Sequence, residues 1–155
     1  MAKKIRIISV GKAHDPLFKA GIAAYEKRLS FSMPIEWTLV PPKTEATTTA
    51  SIASESNSIL RTLKEAEYVI LLDETGTVLS SPEFSNHLFL ALETRKDVCL
   101  VIGGAYGVSE DVKKRASFVL SFGKMVFPHQ LMRLILCEQL YRAVSIRSSN
   151  GYHHD

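Results

Sequence analysis

Short apolar runs alternate along this chain with longer stretches in which apolar residues recur at helical spacing. Apolar runs bounded by turn residues predict buried strands, and helical spacing predicts the amphipathic helices that cover them. We therefore expect strands at 4–11, 35–40, 68–73, 98–104 and 117–123. We expect helices at 16–28, about 51–66, 81–94, 109–115 and about 129–146, with caps at Asp15, Ser81 and Ser109 and with Pro128 opening the last helix.

The middle strands of this pattern are continuously apolar, as in "YVILLD" (68–73) and "VCLVIGG" (98–104). Strands that are covered on both faces have this character, and regular alternation with helices is typical of parallel sheets. The sequence thus predicts an α/β fold with a mostly parallel sheet and helices on both faces. Since it shows neither a repeat nor a boundary, we expect one domain over 1–155.

Composition and charge narrow the class of protein. The net charge of +3 and the pI near 8.9 are mildly basic, which is compatible with a basic patch or an anionic ligand. No apolar run is long enough to span a membrane or to form a signal peptide. Cys99 and Cys137 lie within apolar runs and lack the spacing of metal ligands, so we interpret them as reduced core residues. We expect a cytoplasmic protein that binds neither a metal nor a membrane.

Three strand ends carry unusual loops, with the sequences "LLDETG", "VIGGAYG" and "SFGKMVFPH". Ligands of parallel sheets bind at the carboxyl ends of strands, where glycines such as Gly103 and Gly104 allow a close approach of backbone. The glycine loop matches neither the dinucleotide nor the phosphate-binding motif, so a ligand loop and a tight turn are both open. The apolar loop 125–127 is either a wall for a flat aromatic ring such as adenine or a buried connector.

The last predicted helix is apolar nearly all round. Its apolar positions are Leu131, Leu134, Ile135, Leu136, Cys137, Leu140, Tyr141, Val144 and Ile146. A helix on the outside of a sheet needs only one apolar face, so the second face predicts a partner, most economically another copy of the chain in a homodimer. We expect the tail that follows, Gly151 to Asp155, to rest on the partner subunit and to contribute little to the core of its own chain.

Titratable side chains cluster around this helix. His129 and Arg133 share a face at its N-terminal end, a position that favours anions and lowers the pKa of a histidine, so that the ring can accept a proton. Arg142 has a simpler explanation as a surface pair with Glu138, one turn before it. We treat the more isolated histidines, His14 and His87, as surface or packing residues.

The combination of "LLDETGTVLSSPEF", "VIGGAYGVSEDV", "LSFGKMVFPHQLMRLILCEQLYRAVSI" and "NGYHHD" resembles the RlmH family of SPOUT-class methyltransferases. The resemblance covers the whole chain and implies S-adenosylmethionine as methyl donor, a pseudouridine N3 of 23S ribosomal RNA in the large subunit as acceptor, and a homodimer. It also implies a trefoil knot at the C-terminal end of the sheet, which no physical feature of the sequence predicts.

The resemblance also assigns site residues. The methyl donor is expected at Leu72, Gly103, Gly104, Gly123, Lys124, Met125, Val126, Phe127 and Pro128. RNA is expected at Arg133, Arg142, Tyr152 and His153, and catalysis at His129, His153 and Arg142. Two positions depart from the family pattern: Ala105 replaces the usual proline, and His154 lies where another polar residue is common. Neither departure removes a proposed catalytic group.

Two other classes of function remain open at the level of sequence. One is a non-enzymatic module that binds a nucleotide or a flavin in the same crevice. The other is a factor associated with the ribosome that binds RNA without modifying it. Donor binding and transfer of a methyl group to ribosomes distinguish these classes from a methyltransferase.

Overall fold

A computed structural model describes residues 3–94 and 97–154 of the chain. Its strands are β1 (Ile5–Val10), β2 (Ile35–Val40), β3 (Tyr68–Val78), β4 (Val98–Ile102) and β5 (Phe118–Ser121). Its helices are α1 (Pro16–Leu29), α2 (Thr48–Thr62), α3 (Ser81–Thr94), α4 (Glu110–Arg115) and α5 (His129–Ser148). Across the described ranges no helix combines the length and the apolar character that crossing a membrane requires.

The strands form one sheet in the order β2-β1-β4-β3-β5, and every pairing in it is parallel. One apolar cluster joins the sheet to α1, α3 and α5, with Leu29, Leu88 and Leu140 among its members. A second cluster on the other face includes Ile59 of α2 and Val112 of α4. Helices thus cover both faces, and the predicted α/β fold with a mostly parallel sheet is confirmed. The knot stays a prediction.

Helix α2 and strand β3 differ most from their predicted bounds. Helix α2 begins earlier than expected because Thr47 caps it by accepting a hydrogen bond from the Ala50 N–H at 3.1 Å. It also ends earlier than expected, at Thr62. Strand β3 continues through "ETG", where we expected a turn, and its register with β5 shifts between Leu72 and Thr77. Gly76 allows this bulge, since a Cβ there would lie 2.6 Å from the carbonyl oxygen of Val119.

The helix caps follow local sequence rules, with one correction. Asp15 and Ser109 accept hydrogen bonds from the first turns of α1 and α4, as expected. At α3 the cap is Ser80 and not Ser81, because Ser80 and Glu83 bond reciprocally to each other's backbone N–H at 3.2 and 3.0 Å. Helix α5 opens after Pro128 as expected and extends two residues further than predicted, to Ser148.

The apolar character of α5 is largely explained within one chain. The helix lies between α1 and α3 and also contacts β1 and β4. Leu136, Cys137, Leu140 and Ala143 are fully buried, and the other apolar residues of the helix are half-buried. Our premise that a second apolar face requires a second subunit was therefore wrong, because two helices of the same chain cover this helix from both sides.

Candidate functional site

A cavity of about 690 Å³ opens at the carboxyl ends of β3, β4 and β5. Its size is that of a typical small-molecule site. The three loops singled out from the sequence converge on it. Its wall includes Leu72, Gly103, Gly104, Gly123, Met125, Val126, Phe127 and Pro128, whereas Lys124 is exposed and does not line it. The structure thus brings the expected donor residues together, and their role stays a prediction.

The glycine loop after β4 is both a tight turn and a cavity wall, so the two alternatives hold together. The Gly107 N–H donates to the Gly104 carbonyl at 3.1 Å, and Gly107 has a φ of 86°. A Cβ at Gly103 would lie 2.8 Å from Val108, and one at Gly104 would lie 2.7 Å from an oxygen of Glu55. A side chain at either position would have to displace its neighbour or the turn that forms this wall.

The loop after β5 is fixed by a buried serine. Ser121 Oγ donates to the carbonyl oxygens of Gly123 at 2.8 Å and of Glu74 at 3.2 Å, and it accepts from the Gly123 N–H at 3.0 Å. It therefore ties the loop to the bulge of β3. Sequence reasoning missed Ser121, which reads as an ordinary strand residue.

The mouth of the cavity is apolar and open to solvent. Met125 and Val126 are 77% and 75% exposed, so the alternative of a buried connector was wrong. Tyr106, from the glycine loop, is 72% exposed and also lines the cavity. Sequence reasoning passed over this tyrosine, although its place between glycines in "GGAYG" was a signal. An exposed aromatic and two apolar side chains at one rim can contact a flat ligand or another molecule.

His129 lies at the N-terminal end of α5 and lines the same cavity. Burial of the ring, followed by the positive charge of Arg133, lowers its pKa, and the Glu55 carboxylate opposes this shift. The ring is therefore neutral at pH 7 and can accept a proton. The sequence indicated the same direction from the helix terminus, and the structure adds burial as the larger cause.

Arg133 is not where our RNA prediction requires it. Its side chain is 0% exposed, and its guanidinium donates to Ser9 Oγ and to the carbonyl oxygen of Lys12, each at 2.8 Å. A phosphate cannot reach this group in the structure. The expected RNA contact through Arg133 is thus wrong for the chain as it is folded here.

A second cluster lies near the C-terminal end of α5. Arg142 donates to Glu138 Oε1 from Nε at 3.0 Å and from Nη2 at 2.6 Å, which raises the pKa of the arginine. Its Nη1 lies 3.2 Å from His153 Nδ1, and its guanidinium lies 4.9 Å from the centre of the Tyr152 ring. The Arg142–Glu138 pair and the residues expected to contact RNA therefore form one cluster, in which Glu138 aligns the arginine.

The tail is held by its own chain. The Tyr152 ring packs edge-on against Tyr141 with centroids 4.7 Å apart, and its hydroxyl lies 3.4 Å from that of Tyr25 in α1. It also donates to Glu138, and these surroundings, foremost the Tyr25 hydrogen bond, raise the pKa of Tyr152 to about 12. The expectation that the tail contributes little to its own chain was therefore wrong for Tyr152, and its contact with a partner subunit stays a prediction. Asp155 lies outside the described residues.

The two groups do not meet within one chain. His129 and Arg142 are both on α5, and at 1.5 Å per residue their backbones are about 20 Å apart along its axis. The structure thus joins His129 to the cavity, and it joins Arg142, Tyr152 and His153 to one another some distance away.

The remaining candidates have structural surroundings. His87 Nε2 lies 2.9 Å from the Tyr68 hydroxyl, and its ring packs against Phe118. Burial raises the pKa of both the Cys99 and the Cys137 thiols to about 12, so neither is a thiolate at neutral pH. Within the described part of the chain, no group of three His, Cys, Asp or Glu side chains is arranged to hold a metal ion.

Comparison with known proteins shows the family to which the chain is similar. The model of a family described as predicted SPOUT methyltransferase matches residues 3–153. The chain is 38% identical over 151 residues to ribosomal RNA large subunit methyltransferase H of Dictyoglomus thermophilum, across 97% of this chain and 99% of that protein. It is 43% identical over 156 residues to the protein of the same name from Limosilactobacillus fermentum, across 96% and 98%.

A solved structure is similar in fold. The crystal structure of a methylase family protein from Neisseria gonorrhoeae superposes with a TM-score of 0.51 at 16% identity, over 90% of this chain and 82% of that one. At that identity the likeness shows a shared fold alone. The family model and the relatives, by contrast, match nearly the whole chain and at up to 43% identity. The chain therefore belongs to the SPOUT methyltransferase family, within the group of RlmH proteins.

Proposed function

We propose that this protein is an S-adenosylmethionine-dependent methyltransferase that modifies N3 of a pseudouridine in 23S ribosomal RNA of the large ribosomal subunit. The observation that carries the proposal is the cavity at the ends of β3, β4 and β5, because it is built by the same loops that carry the family motifs. The names of the relatives support ribosomal RNA as the substrate. The precise nucleotide rests on the resemblance to the RlmH family.

The residues of the cavity fit the methyl donor. Glycines 103 and 104 leave backbone bare at the wall, and the apolar loop 125–127 offers both side chains and peptide groups to an adenine ring. The donor, when bound, supplies an electrophilic methyl group. We propose that the glycine loop and the loop after β5 orient that group toward the open mouth, where the acceptor base arrives.

His129 is our candidate for the base of the reaction. Pseudouridine N3 carries a weakly acidic proton, which has to leave as the nitrogen forms its bond to the methyl carbon. His129 is neutral at pH 7 and lines the cavity, so it can accept that proton. His153 is the second candidate, and Arg142 is placed beside it to hold a phosphate or the developing anion.

The spacing of the two groups supports a homodimer with a shared site. Arg142 lies about 20 Å along α5 from His129, too far to act on the same base in its own chain, but a two-fold partner can bring its own cluster to the cavity. We propose this arrangement, in which each domain of 1–155 supplies a donor cavity and its partner supplies Arg142, Tyr152 and His153. The apolar rim around Tyr106 is a suitable surface for that contact. A monomer in light scattering at micromolar concentration would overturn it.

The experiment that tests the function is incubation of the protein with labelled S-adenosylmethionine and ribosomes that lack the modification, followed by nucleoside analysis. The proposal expects label in N3-methylpseudouridine. Donor binding without transfer would favour an RNA-binding factor that does not modify RNA, and a bound flavin without donor binding would favour a nucleotide-binding module. We propose a cytoplasmic location, where ribosomes are found.

A further inference from the structure

Arg133 is a buried cation whose partners are uncharged. Its guanidinium lies against Ser9 Oγ, the carbonyl oxygens of Lys12 and Val10, and His14 Nδ1, at 2.8, 2.8, 3.4 and 3.2 Å. Burial without a carboxylate costs free energy, and an apolar side chain of similar volume would fill the same space without that cost. Packing therefore does not explain why an arginine occupies this position.

The Arg133 guanidinium lies close to His129, the proposed base, beside Gly11. A Cβ on Gly11 would lie 2.9 Å from Arg133 Nη2 and 3.0 Å from His129 Nε2, so the two nitrogens lie within about 6 Å of each other, close enough for one charge to act on the other. Gly11 has a φ of 130°, and its N–H donates to the Val40 carbonyl at 2.8 Å. The glycine at the end of β1 thus leaves the space beside both side chains free.

Hydrogen bonds on its other side hold the arginine in this position. The Ser9 and Lys12 oxygens each accept from a different nitrogen of the guanidinium, and this fork geometry is specific to arginine. His14 Nδ1 accepts from the same Nη1 that donates to Lys12, so the His14 proton resides on Nε2. The group cannot rotate away from Gly11 without breaking these bonds.

We propose that Arg133 is a positioning residue of the active site, whose fixed and permanent charge holds the His129 ring in the neutral, proton-accepting form at the mouth of the cavity. This inference rests on the proposed function in so far as it takes His129 as the base. It also gives His14 a role, as the hydrogen-bond acceptor that orients the guanidinium.

The cations around His129 and His14 lower the pKa of each ring, which is the direction that this role requires. Burial lowers the pKa of His129 first, Arg133 on α5 lowers it further, and Glu55 on α2 opposes them. Burial likewise lowers the pKa of His14, with contributions from Arg133 and from Lys19 on α1. A cation disfavours a second positive charge nearby, so its removal raises both values.

Titration of the histidine rings by NMR tests the proposal without any assay of activity. In the wild type His129 should titrate below pH 6.5. The variant Arg133→Gln should raise the pKa of His129 and of His14 by about half a unit or more. Arg133→Lys, which keeps the charge, should recover most of the shift. The titration of His87, whose pKa is lowered by burial alone, should not move.

Two further variants supply a matched control and a test of the opposing charge. Arg147→Gln removes an exposed arginine from the same helix and should leave the His129 titration unchanged. Glu55→Gln removes the opposing carboxylate and should lower the pKa of His129 further. An unchanged His129 in folded Arg133→Gln would overturn the proposal. If that variant does not fold, a wild-type His129 that titrates at or above pH 6.5 would overturn it instead.

The pH profile of methyl transfer separates this inference from the function itself. If His129 is the base, the acid limb of the profile should move to higher pH in Arg133→Gln and return toward the wild type in Arg133→Lys. A shifted NMR titration with an unshifted profile would overturn the role of Arg133 in the reaction. A wild type without transferase activity would overturn the proposed function, whereas the NMR result would still report on the arginine.

Discussion

The two ends of α5 carry different parts of the proposed site, and they are built in different ways. At the N-terminal end, His129 joins a cavity made of loops in which glycines 103 and 104 have no room for a side chain. At the C-terminal end, Arg142 and Tyr152 form a cluster of side chains around Glu138. The first is a ready-made site for a small molecule, whereas the second presents charge and an aromatic ring on a surface.

The two ends of α5 are suited to different ligands. A cavity lined in part by glycine backbone is suited to a ligand, such as a methyl donor, that has to be held in one orientation. An arginine aligned by a carboxylate and packed on a tyrosine is suited to phosphates and bases. Since the two lie about 20 Å apart on one helix, each can be disabled without disturbing the other.

The largest effect is expected from Gly104→Val, which should abolish donor binding in isothermal titration calorimetry. The new Cβ would lie 2.7 Å from a Glu55 oxygen and 3.2 Å from Val10, so the branched side chain should displace the glycine loop that forms part of the cavity wall. Glu55 is a flexible side chain and can move, so the fold should survive. Ala53→Val, on the exposed face of α2, is a control that should bind normally. Normal binding by folded Gly104→Val would place the donor elsewhere.

Deletion of 151–155 should leave donor binding intact while methyl transfer falls at least ~100-fold, the lower range for the loss of an acid–base group. Because Tyr152 packs on Tyr141 and Tyr25, we now expect a measurable drop in melting temperature as well. Tyr152→Phe, which keeps the ring, separates packing from the hydroxyl. Wild-type turnover by the truncated protein would show that the tail is only structural.

RNA affinity should depend strongly on salt, with a slope of log affinity against log salt near −0.7 for each phosphate contacted in a single strand. Arg142→Gln should make this slope shallower by about one contact. Arg147→Gln, an arginine nearer the end of the same helix, is the matched control and should leave it unchanged. Equal slopes in wild type and Arg142→Gln would remove Arg142 from the RNA surface.

The smallest effect is expected from Ser121→Ala. The serine ties the loop after β5 to the bulge of β3 through Gly123 and Glu74, so its loss should cost about 1 kcal/mol of stability. Donor affinity should fall several-fold because the loop is no longer fixed, while RNA affinity stays the same. Calorimetry and filter binding measure the two separately. An equal loss of both affinities would mean that the two ends of α5 are coupled.

Most of the fold could be predicted from local sequence. Strands such as β4 are buried on both faces, so every residue from Val98 to Ile102 is apolar and the run is unmistakable. Caps such as Asp15 and Ser109 bond to backbone N–H groups a few residues away, so they are equally easy to predict from the sequence. The bulge of β3 was missed because "ETG" has the composition of a turn, and only contact with Val119 of β5 shows that Gly76 belongs in a strand.

The candidate site was predictable where backbone dictates it and less so where side chains meet across the fold. The glycine and apolar loops pointed to the cavity because loops at strand ends share one edge of a parallel sheet. Arg133 looked like a surface arginine, since the residues that bury it, Ser9 and Lys12, are far away in sequence. The docking of Tyr152 on Tyr25 depends on the path of the tail, which no local pattern encodes.

We propose that the cavity of one subunit is completed by the tail of its partner, and a subunit-mixing experiment can test this arrangement. Gly104→Val lacks the donor site and the 151–155 deletion lacks the tail, so each homodimer should be inactive. A mixed dimer, isolated through two different tags, retains one intact cavity facing one intact tail. The account predicts that methyl transfer to ribosomes recovers to about half of the wild-type rate per dimer, one of two equivalent sites. Isolated mixed dimers without activity would contradict it.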